Sequence, residues 1–252
     1  MAVYTHVSAE ALGDFLTRYD VGELVSVKGI AEGVENSNYL VDTTTGRFIL
    51  TLYEKRVKAD DLPFFFALLD HLADRANPVP PAIKDRKGVT IQMLEGRPAC
   101  LIQFLPGVSL SHPTAAQALA SGKALGRMHD ALRDFPLTRP NSMGVATWQP
   151  LFQRCGHSLN EIAPGFYDDL GRALEAVTRR WDASQHDLSV IHADLFPDNV
   201  LMRGDEVGGL IDFYFACTDI RVYDLAITHS AWAFGADGKS YGSAVGDALV
   251  AG

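Results

Sequence analysis

One stretch of the chain, residues 190–213, restricts the possible fold more than any other. Three short apolar runs alternate in it with single polar residues. Apolar runs of this length, bounded by Gly, Pro and Asp, are typical of buried β-strands. The stretch therefore predicts a hairpin-like unit that holds polar side chains at the ends of its strands. These side chains belong to His192, Asp194, Asn199 and Asp212.

The residue types and their spacing favour phosphoryl-transfer chemistry. Asp194 lies on a turn just beyond a buried strand, where its carboxylate can be held rigidly and can accept a proton from a substrate hydroxyl. Asn199 and Asp212 supply an amide oxygen and a carboxylate, and hard oxygen ligands of this kind suit Mg²⁺. Phosphoryl transfer needs a positioned nucleophile and cations that neutralise developing charge. The alternative is a polar β-hairpin whose acids are merely solvated.

The rest of the chain divides into a strand-rich first part and a helical second part. A helix pattern over residues 8–19 comes first, and another over 62–73 interrupts the strands. Strands are predicted at 23–28, 37–42, 47–53, 89–94 and 98–104, and later at 189–192, 199–202 and 207–212. Further helices are predicted at 114–133, 166–181 and 224–234. Because Pro106 and Gly107 break the pattern, we expect an α+β fold with lobes of residues 1–104 and 105–252.

Composition excludes several classes of protein. The chain has 22 Lys and Arg against 31 Asp and Glu, a net charge of −9, which disfavours general binding to nucleic acid or to anionic lipid. Its three cysteines are far apart and form no CxxC pattern, so neither a zinc site nor a disulfide framework is expected. No signal peptide and no apolar run of membrane-spanning length is visible. We expect a cytoplasmic protein, whose oligomeric state the sequence leaves open.

The H-x-D-x-x-x-x-N pattern from His192 to Asn199, followed by Ile211-Asp212-Phe213, resembles the catalytic and metal loops of the protein-kinase-like superfamily. The resemblance is closer to its small-molecule branch, which includes aminoglycoside and choline phosphotransferases. It implies a two-lobed fold with a small antiparallel-sheet lobe and a larger, mainly helical lobe. It also implies that ATP is the phosphoryl donor, that Asp194 is catalytic, that His192 braces the loop, and that Asn199 and Asp212 bind Mg²⁺.

The same resemblance places the nucleotide in the first lobe. The segment 28–38 can aim backbone N–H groups at phosphates, although an ordinary hairpin loop is the alternative. The strand at 47–53 should carry a phosphate-binding lysine, but Thr51 stands there, and Lys28, Lys55 and Arg56 remain open as replacements. The end of the strand at 98–104 matches the hinge that meets adenine. The residues expected to bind the nucleotide are Gly33, Asn36, Ser37, Asn38, Thr51, Gln103 and Leu105.

A narrower resemblance is to the bacterial homoserine kinases of the aminoglycoside-phosphotransferase-like type. It rests on residues 34–39, 48–54, 61–65, 209–217 and 223–227, and a Thr at position 51 is itself typical of that group. The implied reaction converts ATP and L-homoserine to ADP and O-phospho-L-homoserine, a step of threonine biosynthesis. A kinase of another small hydroxyl compound, such as choline or an aminoglycoside, and a nucleotide-binding pseudokinase remain the alternatives.

The residues after the metal loop are the candidates for binding the amine and carboxylate of the substrate. They are Tyr214, Asp219, Arg221 and Trp232, with core packing the alternative for Trp232. Asp224 resembles a structural anchor for the catalytic unit. Homoserine kinases of this type continue beyond the point that corresponds to Gly252, so we expect the second lobe to be incomplete.

Overall fold

The computed structural model of the protein describes residues 4–31, 36–54, 59–181, 186–235 and 237–252. These ranges contain ten strands and seven α-helices. The strands are Leu24–Gly29 (β1), Asn36–Thr43 (β2), Arg47–Tyr53 (β3), Ala82–Ile83 (β4), Gln92–Leu94 (β5), Arg97–Gln103 (β6), Leu188–Ile191 (β7), Val200–Arg203 (β8), Glu206–Leu210 (β9) and Cys217–Ile220 (β10). The helices are Ala9–Leu16 (α1), Leu62–Asp74 (α2), Ala115–Ala131 (α3), Val145–Cys155 (α4), Phe166–Arg180 (α5), Arg221–Ala233 (α6) and Ser243–Ala251 (α7).

The part of the chain from β1 to β6, here called the sheet half, is built on an antiparallel sheet. Its strand order is β1-β2-β3-β6-β4, and β5 also pairs with β6. The turn between β2 and β3 closes as the sequence predicts, because the Thr43 N–H donates to the Gly46 carbonyl at 2.8 Å. The register places Asn38 opposite Thr51 and Thr51 opposite Cys100, so these three residues share one face of the sheet.

The two faces of this sheet pack against different partners. One face, with Tyr39, Leu50 and Leu101, is covered by α1, whose Ser8 N-cap accepts a hydrogen bond from Ala11 N–H at 3.1 Å. The other face, with Tyr53 and Cys100, packs against α2 and joins the core of the rest of the chain. The face with Tyr53 and Cys100 is therefore the one that packs toward the later part of the chain, which contains the other candidate site residues.

The part from α3 to α7, here called the helical half, surrounds two small two-stranded sheets, β7 with β10 and β8 with β9. Helix α3 begins at a capping box formed by Thr114 and Gln117. Helix α7 lies so close to α3 that a Cβ at Gly122 would meet the Leu249 carbonyl oxygen at 2.0 Å. Backbone approach of this kind is the reason for a glycine there.

The predicted α+β architecture, with an antiparallel sheet before a mainly helical second part, is confirmed. Four elements lie outside the sequence predictions: the short strands β4 and β10, helix α4, which contains Pro150, and helix α7. Helix α5 lies where a helix was predicted, and none of its described residues is buried. Among the described residues, no helix has the length and apolar character needed to cross a membrane.

Candidate active site

The loop between β7 and β8 is held by one buried carboxylate from α6. Asp224 is wholly buried and accepts hydrogen bonds from the backbone N–H groups of His192 at 2.9 Å and Ala193 at 2.8 Å. Ala193 has a φ of +62°, a left-handed conformation that is unfavourable for a residue with a Cβ. The Asp224 carboxylate satisfies the N–H groups of Ala193 and of the residue before it, so the loop has one defined shape.

A second buried side chain keeps Asp224 ionised. His129 on α3 lies with its Nε2 2.8 Å from Oδ2 of Asp224. Burial alone raises the pKa of the Asp224 carboxyl, but the hydrogen bond and charge of His129, with the neighbouring His192, outweigh that effect and lower the pKa below its usual value. Helices α3 and α6 are thereby linked beneath the loop.

His192 joins the loop to the strand that leads to Asp212. Its Nδ1 accepts a hydrogen bond from the Asp194 N–H at 3.3 Å, and its Nε2 lies 3.0 Å from the Ile211 carbonyl oxygen. A carbonyl accepts only, so the proton of the neutral ring lies on Nε2. Burial lowers the pKa of His192, although Asp224 and Ile211 oppose that shift, and the ring packs against Phe213 at 4.4 Å. The expected bracing role therefore has a visible geometric basis.

Asp194 and Asn199 are in direct contact. The Asn199 Nδ2 donates to the Asp194 carbonyl oxygen at 2.8 Å and to its carboxylate Oδ2 at 3.0 Å. These bonds fix the amide so that its oxygen, Oδ1, points away from Asp194, and within the described ranges Oδ1 makes no hydrogen bond. The Ile211 N–H donates to the Asn199 carbonyl oxygen at 3.0 Å, which brings the residue before Asp212 beside Asn199.

The donor chemistry of Asn199 and Asp212 fits a hard divalent cation. Asp212 adopts a φ of +63° immediately after β9, so a sharp change of backbone direction occurs at this carboxylate. In the described part of the chain, no group of three or more His, Cys, Asp or Glu side chains is arranged to hold a metal ion. A site with one amide oxygen and one carboxylate suits Mg²⁺, which keeps several waters and binds phosphates of a substrate.

Two tyrosines connect the sheet half to the segment after Asp212. The hydroxyl oxygens of Tyr53 and Tyr214 lie 3.0 Å apart, and Tyr53 also contacts the Cys100 thiol at 3.1 Å. Phe65 on α2 packs edge-on against Tyr214 at 5.5 Å. Burial raises the pKa of both tyrosines well above its usual value, so both hydroxyls stay protonated. Tyr214, a candidate for the substrate pocket, is thus used in the contact between the two halves.

The predicted nucleotide-binding residues of β2 fall on opposite faces of the sheet. Thr51 and Asn38 share the face of Tyr53, and Thr51 Oγ1 donates to Asn38 Oδ1 at 2.8 Å. The Ser37 hydroxyl lies on the other face, where it accepts from Tyr4 and Thr5 N–H groups and donates to Glu54. Asn36 is buried, and its Oδ1 has no hydrogen-bond partner among the described residues. Gly33, like Lys55 and Arg56, lies outside the described residues.

The chain between β6 and α3 offers one backbone edge. The Gln103 N–H is occupied, since it donates to the Pro81 carbonyl at 3.1 Å. The N–H and carbonyl of Leu105 form no hydrogen bond in the described structure. The Leu105 side chain packs against β9, where a Cβ at Gly209 would lie 2.7 Å from it. Leu105 therefore presents the backbone donor and acceptor of this segment.

The other substrate-pocket candidates have structural contacts. Asp219 accepts from Asn141 Nδ2 at 2.7 Å, and Arg221 donates to Asp187 at 2.7 Å. Trp232 is buried, and its Nε1–H donates to the Leu195 carbonyl at 2.9 Å, in the loop between β7 and β8. The sequence reasoning missed His129 and Arg139, whose partners are 95 and 78 residues away along the chain. Pairing at such separation leaves no local signal.

Comparisons with known proteins identify the family of the chain. The model of the phosphotransferase enzyme family (APH) matches residues 26–249. Homoserine kinase of Nitrobacter winogradskyi is 53% identical over 237 residues, which cover 94% of this chain and 72% of that enzyme. Homoserine kinase of Methylorubrum populi is 50% identical over 252 residues, which cover 100% of this chain and 78% of that enzyme.

Solved structures show the same fold at low sequence identity. The spectinomycin phosphotransferase APH(9)-Ia, crystallised with ADP and spectinomycin, superposes with a TM-score of 0.74 at 14% identity, covering 98% of this chain and 80% of that one. The amicoumacin kinase hAmiN superposes with a TM-score of 0.67 at 16% identity, covering 90% and 69%. The chain belongs to the APH phosphotransferase enzyme family and, within it, to the homoserine kinases.

Proposed function

We propose that this chain transfers the γ-phosphoryl group of ATP to the side-chain hydroxyl of L-homoserine. The contact that carries the chemistry is the 3.0 Å hydrogen bond between Asn199 and the Asp194 carboxylate, in a loop anchored by Asp224. The choice of homoserine is supported by relatives that are about half identical over nearly the whole chain. The proposal includes the threonine-biosynthesis step and a cytoplasmic location.

Asp194 acts as the general base and orients the nucleophile. The homoserine hydroxyl oxygen forms a bond to the γ-phosphorus, the bond from that phosphorus to the β,γ-bridging oxygen breaks, and ADP leaves. The hydroxyl proton passes to the Asp194 carboxylate. Since Asn199 holds Oδ2, the carboxylate approaches the substrate in one orientation. His192 acts through the backbone of Asp194 and does not touch the substrate.

Asn199 and Asp212 are the proposed metal ligands. Asn199 Oδ1 is turned away from Asp194 by the two bonds of its own Nδ2, which leaves a ligand oxygen and the general base on one amide–carboxylate unit. Asn199 and Asp212 would hold Mg²⁺ there, and the ion would supply positive charge against the charge that develops during phosphoryl transfer. The protein contributes fixed ligand positions, because the strand ends that carry both residues are tied by the Ile211–Asn199 hydrogen bond.

The nucleotide is proposed to lie between a first lobe of residues 1–104 and a second of residues 105–252. Thr51 replaces the lysine expected on β3, and its hydroxyl fixes the Asn38 amide by donating to Oδ1. Asn38 Nδ2 has no hydrogen-bond partner in the described residues and faces the same side as Tyr53, so it is a donor suited to a phosphate oxygen. The neutral Thr51–Asn38 pair thus contributes to phosphate binding at the place where a strand lysine is expected.

The remaining nucleotide contacts follow from the backbone. The backbone N–H and carbonyl of Leu105 are the groups proposed to bind the edge of adenine. The Gln103 carbonyl lies two residues earlier in the same segment. Asn36, whose buried Oδ1 has no hydrogen-bond partner among the described residues, lies two residues before Asn38 on the same face. Ser37 contributes through its main chain, since its hydroxyl is used on the opposite face. Gly33 belongs to the proposed phosphate loop.

The full chain, purified and supplied with ATP, Mg²⁺ and L-homoserine, tests the proposal through ADP release and the phosphorylated product. We expect Asp194→Asn to lower kcat by at least 10³-fold while Mg-ATP still binds and the Tm changes little. Asp198→Asn, an exposed acid in the same loop, serves as the matched control and should retain turnover. The proposal fails if Asp194→Asn is fully active, or if choline or kanamycin is phosphorylated and homoserine is not.

The Thr51–Asn38 pair has its own test. Thr51→Val removes the donor that orients the amide, and we expect KM for ATP to rise about 10-fold, equivalent to roughly 1.4 kcal/mol of transition-state binding. Asn38→Asp should raise it further, since a carboxylate repels phosphate. Ser26→Ala on the exposed strand β1 is the control. An unchanged KM for ATP in Thr51→Val and Asn38→Asp rejects the pair as a phosphate contact.

A further inference from the structure

Arg139, in the segment between α3 and α4, joins three separate parts of the molecule. Its Nε and Nη2 donate to Asp61 Oδ2 at 3.1 and 2.9 Å, and its Nη1 donates to the Ala216 carbonyl at 3.0 Å. Its guanidinium also lies 5.0 Å from the ring centre of Phe65. One side chain therefore contacts the first residues of α2 and the segment that follows Asp212.

The carboxylate that Arg139 binds is not used by its own helix. Asp61 occupies the N-cap position of α2, where an Asp side chain ordinarily accepts a hydrogen bond from the first turn. No such capping bond occurs in the described turns of α2, where Asp61 has helical φ and ψ angles and its Oδ2 receives two guanidinium donors of Arg139. Two guanidinium donors meet one carboxylate oxygen, and the contact is only partly exposed, with 20% of the Arg139 and 32% of the Asp61 side chain accessible. Such a pair is stronger than a flexible surface ion pair.

The other end of the link is equally fixed. Arg139 pairs with β10 through its backbone, since Thr218 N–H donates to the Arg139 carbonyl at 2.6 Å. The buried Ala216, whose carbonyl Arg139 holds, donates its own N–H to the Phe213 carbonyl at 2.9 Å and closes the turn that follows Asp212. A change in the position of Arg139 is therefore passed to the backbone that carries the proposed metal ligand.

We propose that Arg139 is a positioning residue that sets helix α2 and the Asp212 turn at one fixed separation. This inference rests on the proposed function, because it assigns a purpose to the position of Asp212. The strand position where a lysine is expected holds the neutral Thr51. The acid that opens α2, Asp61, is instead paired with Arg139 from the helical half. The link thereby couples the nucleotide-binding sheet to the turn at Asp212 without a strand lysine.

The structure provides a matched control on the same helix. At the other end of α2, Arg75 donates to Asp134 at 2.7 Å, again between the two halves of the chain. That pair touches neither Ala216 nor the turn after Asp212. Asp134→Asn therefore weakens the docking of α2 without disturbing the proposed link, whereas Asp61→Asn and Arg139→Lys disturb the link itself. Asp61→Asn is nearly isosteric, so it should leave the fold intact.

The experiment compares these variants as full chains, by steady-state kinetics, Mg-ATP titration and thermal melting. We expect Asp61→Asn to lower kcat about 10-fold and to raise the Mg²⁺ concentration for half-maximal activity, with KM for homoserine unchanged. Arg139→Lys keeps the positive charge but loses the contact of two guanidinium donors with Asp61, so its kcat should lie between those of the wild type and Asp61→Asn. Asp134→Asn removes a more exposed acid, so it should keep kcat within about twofold and shift the Tm by little.

The proposal is overturned if Asp61→Asn retains wild-type kcat and Mg²⁺ dependence, or if Asp134→Asn loses as much activity as Asp61→Asn. A wild-type chain without homoserine turnover contradicts the proposed function instead. In that case the same variants are judged by Mg-ATP affinity, where a weaker affinity for Asp61→Asn than for Asp134→Asn supports the link and equal affinities reject it.

Discussion

Asp224→Asn is the substitution whose consequence can be worked out most fully. The wild-type carboxylate accepts from two backbone N–H groups and from His129, at 2.8 to 2.9 Å, and it is completely buried. An asparagine at this position has one acceptor oxygen and presents N–H hydrogens on the other side. At least one backbone N–H of the catalytic loop is then left facing a donor, with no water to replace the lost bond.

The size of the effect follows from these partners. Removing one member of a buried, hydrogen-bonded charge pair costs about 3–5 kcal/mol, because the partner groups lose their compensation. For a chain of this length each kcal/mol lowers the Tm by about 2–4 °C, so we expect a decrease of roughly 6–20 °C. Since Ala193 keeps its left-handed conformation only while both N–H groups are held, kcat should also fall by about 10²-fold.

Thermal melting and ADP release measure the two effects on one preparation. Asp134→Asn, which removes an acid that is 67% exposed, is the control for loss of a negative charge and should shift the Tm by little. Asp194→Asn gives the contrasting pattern of lost turnover with an unchanged Tm. A decrease below about 2 °C for Asp224→Asn, or full activity with a large decrease, refutes the idea that this carboxylate sets the shape of the loop.

The same carboxylate gives a pH signature. Because folding lowers the pKa of Asp224 below its ordinary value of 3.8, the ionised form stabilises the folded chain above that pH. The contribution is lost as the pH falls through the folded-state pKa. The stability difference between wild type and Asp224→Asn should therefore be constant near neutrality and narrow in acid below pH 3.8. A difference that widens in acid contradicts the charge assignment.

Two further predictions concern His192 and Gly122. Burial lowers the pKa of His192 from 6.5, so the neutral ring stabilises the fold above that pH and this contribution is lost as the pH falls. In thermal melts between pH 7.5 and 5.0, His192→Gln should therefore lose less stability than the wild type, by at most about 1.4 kcal/mol per pH unit. Equal losses of stability in the two proteins would reject this. Gly122→Ala inserts a Cβ 2.0 Å from the Leu249 carbonyl oxygen, so α7 must shift and denaturant unfolding should show a loss of about 1–3 kcal/mol, whereas Gly126→Ala, with open space around it, should stabilise or have no effect.

The residues near one another in sequence were predictable because local rules decide their positions. The contact of Asp194 with Asn199 follows from a tight loop between two short strands. Strand β3 was predicted with its observed bounds, since its mostly apolar residues begin directly after the turn at 43–46. The period of a strand also determines that Ser37 and Asn38 point to opposite faces. The prediction that both side chains bind nucleotide gave no weight to this alternation, and the structure separates them.

Contacts between distant residues were beyond sequence reasoning. Nothing near His129 or Arg139 in the chain indicates that each binds an aspartate from another helix, because such pairs form only after the helices have packed. Likewise, Trp148, Trp181 and Tyr223 come from three different elements and meet with ring centres 5.3 to 6.2 Å apart. The sequence predicted helix α5 but not its exposure, because burial depends on neighbours that a local pattern does not specify.

The arrangement of charge explains how the site can operate with Thr51 in place of a lysine. A lysine on β3 would bring its cation from the sheet half, where Thr51 is only 3% exposed and already bonded to Asn38. Burying an ammonium group there without a carboxylate partner is costly. The acid at the N-cap of α2, Asp61, is instead bound by Arg139. Replacing Thr51 by Lys alone should therefore not restore a strand cation, since Asp61 is already paired with Arg139.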